Sequence, residues 1–331
     1  MKTQILQSTT QKCRIAQGKI NHITVIGLIA FSLLVLVMGA YAESRIAFES
    51  TRHKGVPQIF IMSDDGREVR QITAKGGTTN PTWYPDGQHI LCVRDTRDET
   101  YLIRVNLKGS HREQILPVTR GFFYITQPTF SPNGHQIAFL GFKEQDKISG
   151  LYIIDSSGKQ LQKFIPFATQ TDIGPDWSPD GQSIVFSDME DIFLMDTQTF
   201  QVKNITNSPR WEIAATWSPD GTQLAVTSAD GLLLMTPRGE VVKQLTRQKP
   251  DVVGVQSWHP DGSRIIFSST SRPGPREKPE IYVLDLETLE ISRLTKNPAF
   301  DQSPAWFDTA FAFSVEPKER LITIWGRMKT P

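Results

Sequence analysis

This 331-residue sequence predicts an all-β fold made of one repeated four-stranded unit, on three observations. First, the stretch Asp-Trp-Ser-Pro-Asp-Gly beginning at Asp176 has near copies at Thr82, Thr129, Thr216 and Ser257, and a truncated copy, Ala-Trp-Phe-Asp, at Ala305. Second, their aromatic residues, Trp83, Phe130, Trp177, Trp217, Trp258 and Trp306, are spaced 47, 47, 40, 41 and 48 residues apart, a period of the size found in propellers and solenoids. Third, alternating runs such as Ser183 to Ser187 and Gln223 to Thr227 follow the copies, the period-2 pattern of half-buried strands.

Each part of the unit has its own physical reason. Pro fixes φ at the first central position of a turn, Asp or Asn tolerates the second and bonds its own backbone, and Gly takes the positive φ that follows, so the chain reverses at Pro-Asp-Gly. That turn accounts for Asp86, Asp180, Asp220 and Asp261 without any catalytic role. After the strand that leaves the turn comes a second run, seen at Gln58 to Met62, Tyr101 to Val105, Leu151 to Asp155, Asp191 to Asp196, Gly231 to Met235 and Glu280 to Asp285. A third run ends in Ile-Thr or Leu-Thr at Thr73, Thr206, Thr246 and Thr295. Together with the short strand that carries the aromatic, each unit holds four antiparallel strands, which is the blade of a β-propeller. The repeat tryptophans read as core.

The Trp-Ser-Pro-Asp-Gly, Ile-Tyr-Val-Leu-Asp and Arg-Leu-Thr segments resemble the propeller repeats of the TolB family over about residues 44 to 308, and the resemblance implies six blades. Strand arithmetic agrees. The first set, Arg45 to Ser50, Gln58 to Met62 and Glu68 to Thr73, lacks an aromatic strand, whereas Ser303 to Trp306 lacks the turn, so pairing the two closes a six-bladed ring and leaves 309–331 as a tail. Reading Ala310 to Val315 and Leu321 to Trp325 as further strands gives seven blades instead. The family carries an α/β domain before its propeller, whereas here strands begin at Arg45, directly after an apolar run; the resemblance therefore implies a propeller module more than one pathway.

Residues 1–22 carry Lys2, Lys12, Arg14 and Lys19 and no acid, and 23–42 are nearly all apolar, ending Ala40-Tyr41-Ala42. This is the pattern of a signal peptide, and the run is also long enough to serve as an uncleaved anchor. Either form places the propeller in the periplasm or another extracytoplasmic space. Without the leader's four positive charges the net charge passes from +1 to −3, and no basic footprint for nucleic acid remains. Cys92 is then the single thiol, incapable of an internal disulfide and placed in an apolar run as a small buried residue.

Length differences locate the candidate site. The two short units have tight connections between their second and third strands, and the other four read as expanded there, on the same end as the segments leading into each aromatic strand. Loops on a rigid scaffold concentrate binding residues. The lead-in segments supply Tyr124, Asp172, Asp251, Asp301 and the triplet Arg210-Trp211-Glu212, with Trp211 outside the repeat register as the recognition aromatic. Gly-x-Ser-x-Gly, His-Glu-x-x-His, Cys-x-x-Cys and phosphate-binding glycine loops are absent. Asp172, Asp251 and Asp301 could hold calcium through oxygen ligands; otherwise no cofactor is expected. Two function classes follow: an exported, non-enzymatic scaffold binding a protein or peptide, and a metal-dependent sugar- or lactone-processing enzyme with its site in the central channel.

Overall fold

The computed structural model describes residues 44–308, apart from 97, 108–112, 117–118, 120, 144–147, 168–173, 189, 208–210, 247–250 and 271–277. The leader and the tail lie outside the described residues, and with them both segments read as seventh-blade strands.

Three strands open the fold: β1 (Ser44–Ser50), β2 (Gln58–Ser63) and β3 (Arg70–Gln71). Five four-stranded meanders follow. The second blade is β4 (Gly77–Trp83), β5 (His89–Asp95), β6 (Thr100–Asn106) and β7 (Glu113–Ile115), and the third is β8 (Tyr124–Phe130), β9 (Gln136–Lys143), β10 (Ile148–Asp155) and β11 (Gln162–Phe167). The fourth is β12 (Asp176–Trp177), β13 (Ser183–Ser187), β14 (Ile192–Asp196) and β15 (Val202–Asn204), and the fifth is β16 (Ala214–Trp217), β17 (Leu224–Ser228), β18 (Gly231–Met235) and β19 (Val241–Gln244). The sixth is β20 (Asp251–Trp258), β21 (Arg264–Thr270), β22 (Glu280–Asp285) and β23 (Ile291–Arg293), after which β24 (Asp301–Asp308) returns to pair antiparallel with β1. The first blade is therefore β24-β1-β2-β3, and the innermost strands touch in the order β24, β4, β8, β12, β16, β20 and back to β24. The molecule is a six-bladed propeller, closed by its two ends as the truncated last copy predicts.

The core lies between blades rather than within them. Trp83 packs with Ile59, Ile61 and Cys92 from the first and second blades, and Trp306 packs with Ile46, Phe48 and Ile266 from the first and sixth. All five repeat tryptophans are buried, as is Cys92.

Two local devices explain the repeated residues. In the fourth blade, Asp180 Oδ1 accepts from the Ser178 hydroxyl at 2.6 Å and from the Gln182 N–H at 3.0 Å, while the Gly181 N–H, at φ 72°, donates to the Ser178 carbonyl. The fifth blade repeats this with Ser218, Asp220 and Thr222. At the other end of the unit, the threonine of each Ile-Thr or Leu-Thr pair lies just past the outermost strand and accepts an N–H of the third. Ile59 donates to Thr73, Ile192 to Thr206, Leu232 to Thr246 and Ile281 to Thr295, at 2.9 to 3.0 Å. Each hydroxyl satisfies a buried donor where the ladder stops.

The innermost strands depart from expectation. They are short in the fourth and fifth blades, at 2 and 4 residues, but 7 or 8 residues long in the others. Much of what reads as lead-in loop is thus strand, broken by a register shift next to a residue at positive φ: Asn80, Gln127 and Ser303. Each precedes a proline, which has no N–H for the ladder.

Candidate functional site

In an antiparallel meander, alternate connections leave at opposite ends. The Pro-Asp-Gly turns therefore occupy one end of the ring, and the second-to-third-strand connections share the other with the lead-in segments. The expectation of four expanded loops needs correcting. In the second and third blades the extra residues lengthen the middle strands, to seven in β5 and β6 and eight in β9 and β10, against five in the fourth and fifth blades. Added residues that continue a ladder satisfy their own backbone groups, so they extend strands instead of looping out. Among the described residues a long connection stands at 51–57 of the first blade. The middle strands are 6 to 8 residues long in four blades and 5 in the fourth and fifth, so the strand rim is lowest over those two.

Trp211 sits at that low stretch, on the segment joining the fourth blade to the fifth. It is 66% exposed and holds φ at 53°, a left-handed conformation that is costly for a bulky side chain. Its neighbour Glu212 is not the exposed charge expected from the triplet. It is 1% exposed, and its N–H donates to the Glu190 carbonyl at 3.2 Å. The same backbone contact recurs where Thr78 donates to Pro57 and Asp301 to Pro279, both at 2.9 Å. Fastening the backbone there to the preceding blade turns that residue's side chain inward.

Asp301, expected on the rim, is accordingly fully buried. Its Oδ2 accepts from Arg52 Nη2 at 2.8 Å, and the Arg52 guanidinium lies over the Phe48 and Phe60 rings, 5.1 and 4.9 Å from their centroids. This carboxylate belongs to the ring closure and not to a binding surface. Tyr124 shares a hydrogen bond with the Ser149 hydroxyl and stacks on Phe142. Arg210 and Asp172 lie outside the described residues, as does the side chain of Asp251, which opens β20. Among the described residues no group of three or more His, Cys, Asp or Glu stands close enough to hold a metal ion.

The central channel contains a site that reading the sequence missed. Its cavity, about 280 Å³, is lined by the innermost strands. The residues just before the repeat aromatics form one ring: Thr82, Thr129, Asp176, Thr216, Ser257 and Ala305. One step earlier along the same strands stand Pro81, Pro128, Pro175 and Pro304, with Ala215 and Gln256 in the remaining two blades. Innermost strands are sheet edges with unpaired N–H groups, and the first ring supplies acceptors across blade boundaries. Asp176 Oδ2 accepts the Trp217 N–H at 2.8 Å, and Ser257 Oγ accepts the Trp306 N–H at 3.2 Å. Asp176 Oδ1 receives the Thr129 hydroxyl at 3.4 Å. Asp176 is only partly buried by exposed area, yet the surrounding protein desolvates its carboxyl and pushes it up to about 7, against the opposing effect of these hydrogen bonds. The signal was available: this is the one acid in a ring of threonines, serine and alanine. Glu49 of β1 is also pushed up to about 7 by burial, although it accepts from Gln302 Nε2 at 3.0 Å and from the Asn80 backbone.

A family profile described as the TolB beta propeller domain matches residues 41–165, 117–233 and 151–276. Among curated proteins, the uncharacterized peptidase YuxL of Bacillus subtilis strain 168 is 26% identical over 224 residues, 64% of this chain and 33% of that protein. The Tol-Pal system protein TolB of Alcanivorax borkumensis is 29% identical over 98 residues, 30% of this chain and 22% of that protein. The chain thus spans a third or less of these relatives' length. The crystal structure of TolB from Acinetobacter baumannii has a TM-score of 0.65 at 19% identity, covering 80% of this chain and 66% of the other, and shares its fold.

Proposed function

This chain belongs to the TolB beta propeller domain family, and from that premise we propose that it is an exported, non-enzymatic scaffold whose loop-bearing end captures a protein or peptide partner in the cell envelope. Trp211 carries the reading. It is the most exposed of the large hydrophobic side chains among the described residues, and its positive φ belongs to no turn, whereas that of exposed Phe200, at 57°, closes a turn in which its N–H donates to the Asp196 carbonyl; outliers without a local cause collect where a ligand is met. Tryptophan is also among the residues that dominate interface energetics. The low rim of the fourth and fifth blades leaves it open to a partner, the leader supports export, and the likeness to a Tol-Pal system protein supports a proteinaceous partner.

A photo-reactive phenylalanine placed at position 211 of the full-length protein in its own cells tests this, with the same probe at Phe200, exposed on the turn-bearing end, as the control. One adduct of defined mass from position 211 and none from 200 is expected. Equal adducts from both, or none from either, would overturn the docking face. Export is tested separately by an alkaline phosphatase fusion after residue 50, which is expected to be active outside the cytoplasm.

A second reading, an enzyme acting on a sugar or lactone in the channel, is favoured by Asp176, whose pKa of about 7 suits a general acid or base at neutral pH. Turnover lost in Asp176→Asn would establish it.

A further inference from the structure

We propose that the central channel is a binding site for a primary alkylammonium group, with Asp176 as its counter-ion. The proposal is independent of the docking face, because neither Trp211 nor a protein partner enters it.

The cavity has the layered chemistry such a group requires. Asp176 is the sole titratable side chain among the described residues that line it. The carboxylate shares its ring with four hydroxyls, and an ammonium group has three N–H donors and no acceptor, so a carboxylate oxygen with neighbouring hydroxyl oxygens can satisfy it. The proline ring lies one residue away, roughly 3.3 Å along the strand. Its four prolines, which have no N–H groups, present an apolar surface that suits a methylene stem, and Ala215 and Gln256 complete the ring. The geometry also selects within the class of cations. Oδ2 is occupied by the Trp217 N–H at 2.8 Å, Oδ1 receives the long Thr129 contact at 3.4 Å, and the Trp177 N–H also bonds the carboxylate. A carboxylate with Oδ2 already engaged by backbone favours a compact ammonium over a planar guanidinium, which binds best to both oxygens of a carboxylate. A single carboxylate is likewise a poor match for a divalent ion, which draws on several oxygen ligands.

Burial holds the carboxyl neutral over much of the acid range in the unliganded channel. A bound cation would favour the ionised form, so binding releases a proton near neutral pH. With the acid at about 7 and an alkylammonium charged up to about pH 10, binding occupies the window between those values.

The test is calorimetric titration of the full-length protein with n-butylammonium, with Nα-acetyl-lysine methylamide as the arm standing for a lysine side chain, and with 1-butanol as the uncharged control. Saturable binding of either amine is expected, with none of butanol. Affinity at pH 6 is expected to be about tenfold below that at pH 8, the ratio of ionised fractions for a group of pKa about 7. Asp176→Asn, which keeps an acceptor for the Trp217 N–H, is expected to bind at least tenfold more weakly at pH 8 with an unchanged melting temperature. The ratio of the two amines tells a free small amine from a lysine side chain. Absence of saturable amine binding, equal binding of butanol, pH-independent affinity, or undiminished binding by a folded Asp176→Asn would each overturn the proposal. If Asp176→Asn does not fold, the butanol and pH arms on the wild-type protein decide alone.

Discussion

At the turn-bearing end, Asp180 and Asp220 each accept a serine hydroxyl and a backbone N–H two residues on, and these bonds hold their carboxyls below the usual range. Around the channel and the closing strands, Glu49 and Asp176 also accept hydrogen bonds, yet burial pushes both up to about 7. One side-chain chemistry thus has two outcomes, decided by whether water remains close enough to solvate the charge. The turn acids serve the chain's own reversal and recur with the repeat. The acids with raised values stand at positions where the other blades do not repeat them.

The tryptophans sharpen the contrast most strongly. Trp217→Ala is expected to cost about 3 to 5 kcal/mol of stability, as for a large buried aromatic, measured by denaturant unfolding. A loss under about 1 kcal/mol would break the assignment of the repeat aromatics to the core. Arg52→Ala leaves the fully buried Asp301 without its cation and is expected to cost about 3 kcal/mol; an unchanged unfolding midpoint would show that the clasp does not hold the ring.

Glu49 gives the pH arm. Its folded-state pKa of about 7 lies above the ordinary 4.5, so the folded protein binds more protons between these values. Its contribution is present below about pH 4.5 and lost as pH rises through about 7. Glu49→Gln is therefore expected to flatten the decline of melting temperature between pH 5 and pH 8; a decline as steep as that of the wild type would assign it elsewhere. Asp220→Ala, at the turn-bearing end, is expected to cost about 1 kcal/mol through its lost turn bonds, read from the unfolding midpoint. The smallest stability effect is expected for Trp211→Ala, under about 0.5 kcal/mol, together with a loss of about 2 kcal/mol or more in partner binding. If Trp211→Ala destabilises as Trp217→Ala does, the exposed aromatic is structural and the contrast between the two ends fails.

Features with a local cause were legible in the sequence. The Pro-Asp-Gly reversal, the period-2 runs and the aromatic spacing each depend on a few neighbouring residues, and together they place six blades and the β1–β24 closure. Features decided by contacts between blades were not. Glu212 and Asp301 look like rim acids because charge in a segment between strands ordinarily faces water. What turns them inward is a backbone bond to the preceding blade, and no pattern within the segment announces it. Lys143, Ile148 and Ser149 look like loop for a similar reason, yet they extend β9 and β10, since polar residues in a continuing ladder resemble polar residues in a turn. Asp176 belongs to the repeat motif itself, and its being the single acid of its ring emerges only when the six equivalent positions are set side by side.

The closure between β1 and β24 also has a consequence in time. The Arg52 to Asp301 bond spans 249 residues, and a ribosome adds about 5 to 20 residues per second. The edge of β1 therefore waits roughly 10 to 50 seconds for a partner that does not yet exist. Throughout that interval the growing chain carries an open strand edge able to recruit any other extended segment. A holding factor, or delayed folding of β1, is the natural remedy. By the same reasoning, a chain stopped anywhere before Asp301 is not a slightly shorter ring but an open arc with an adhesive leading edge.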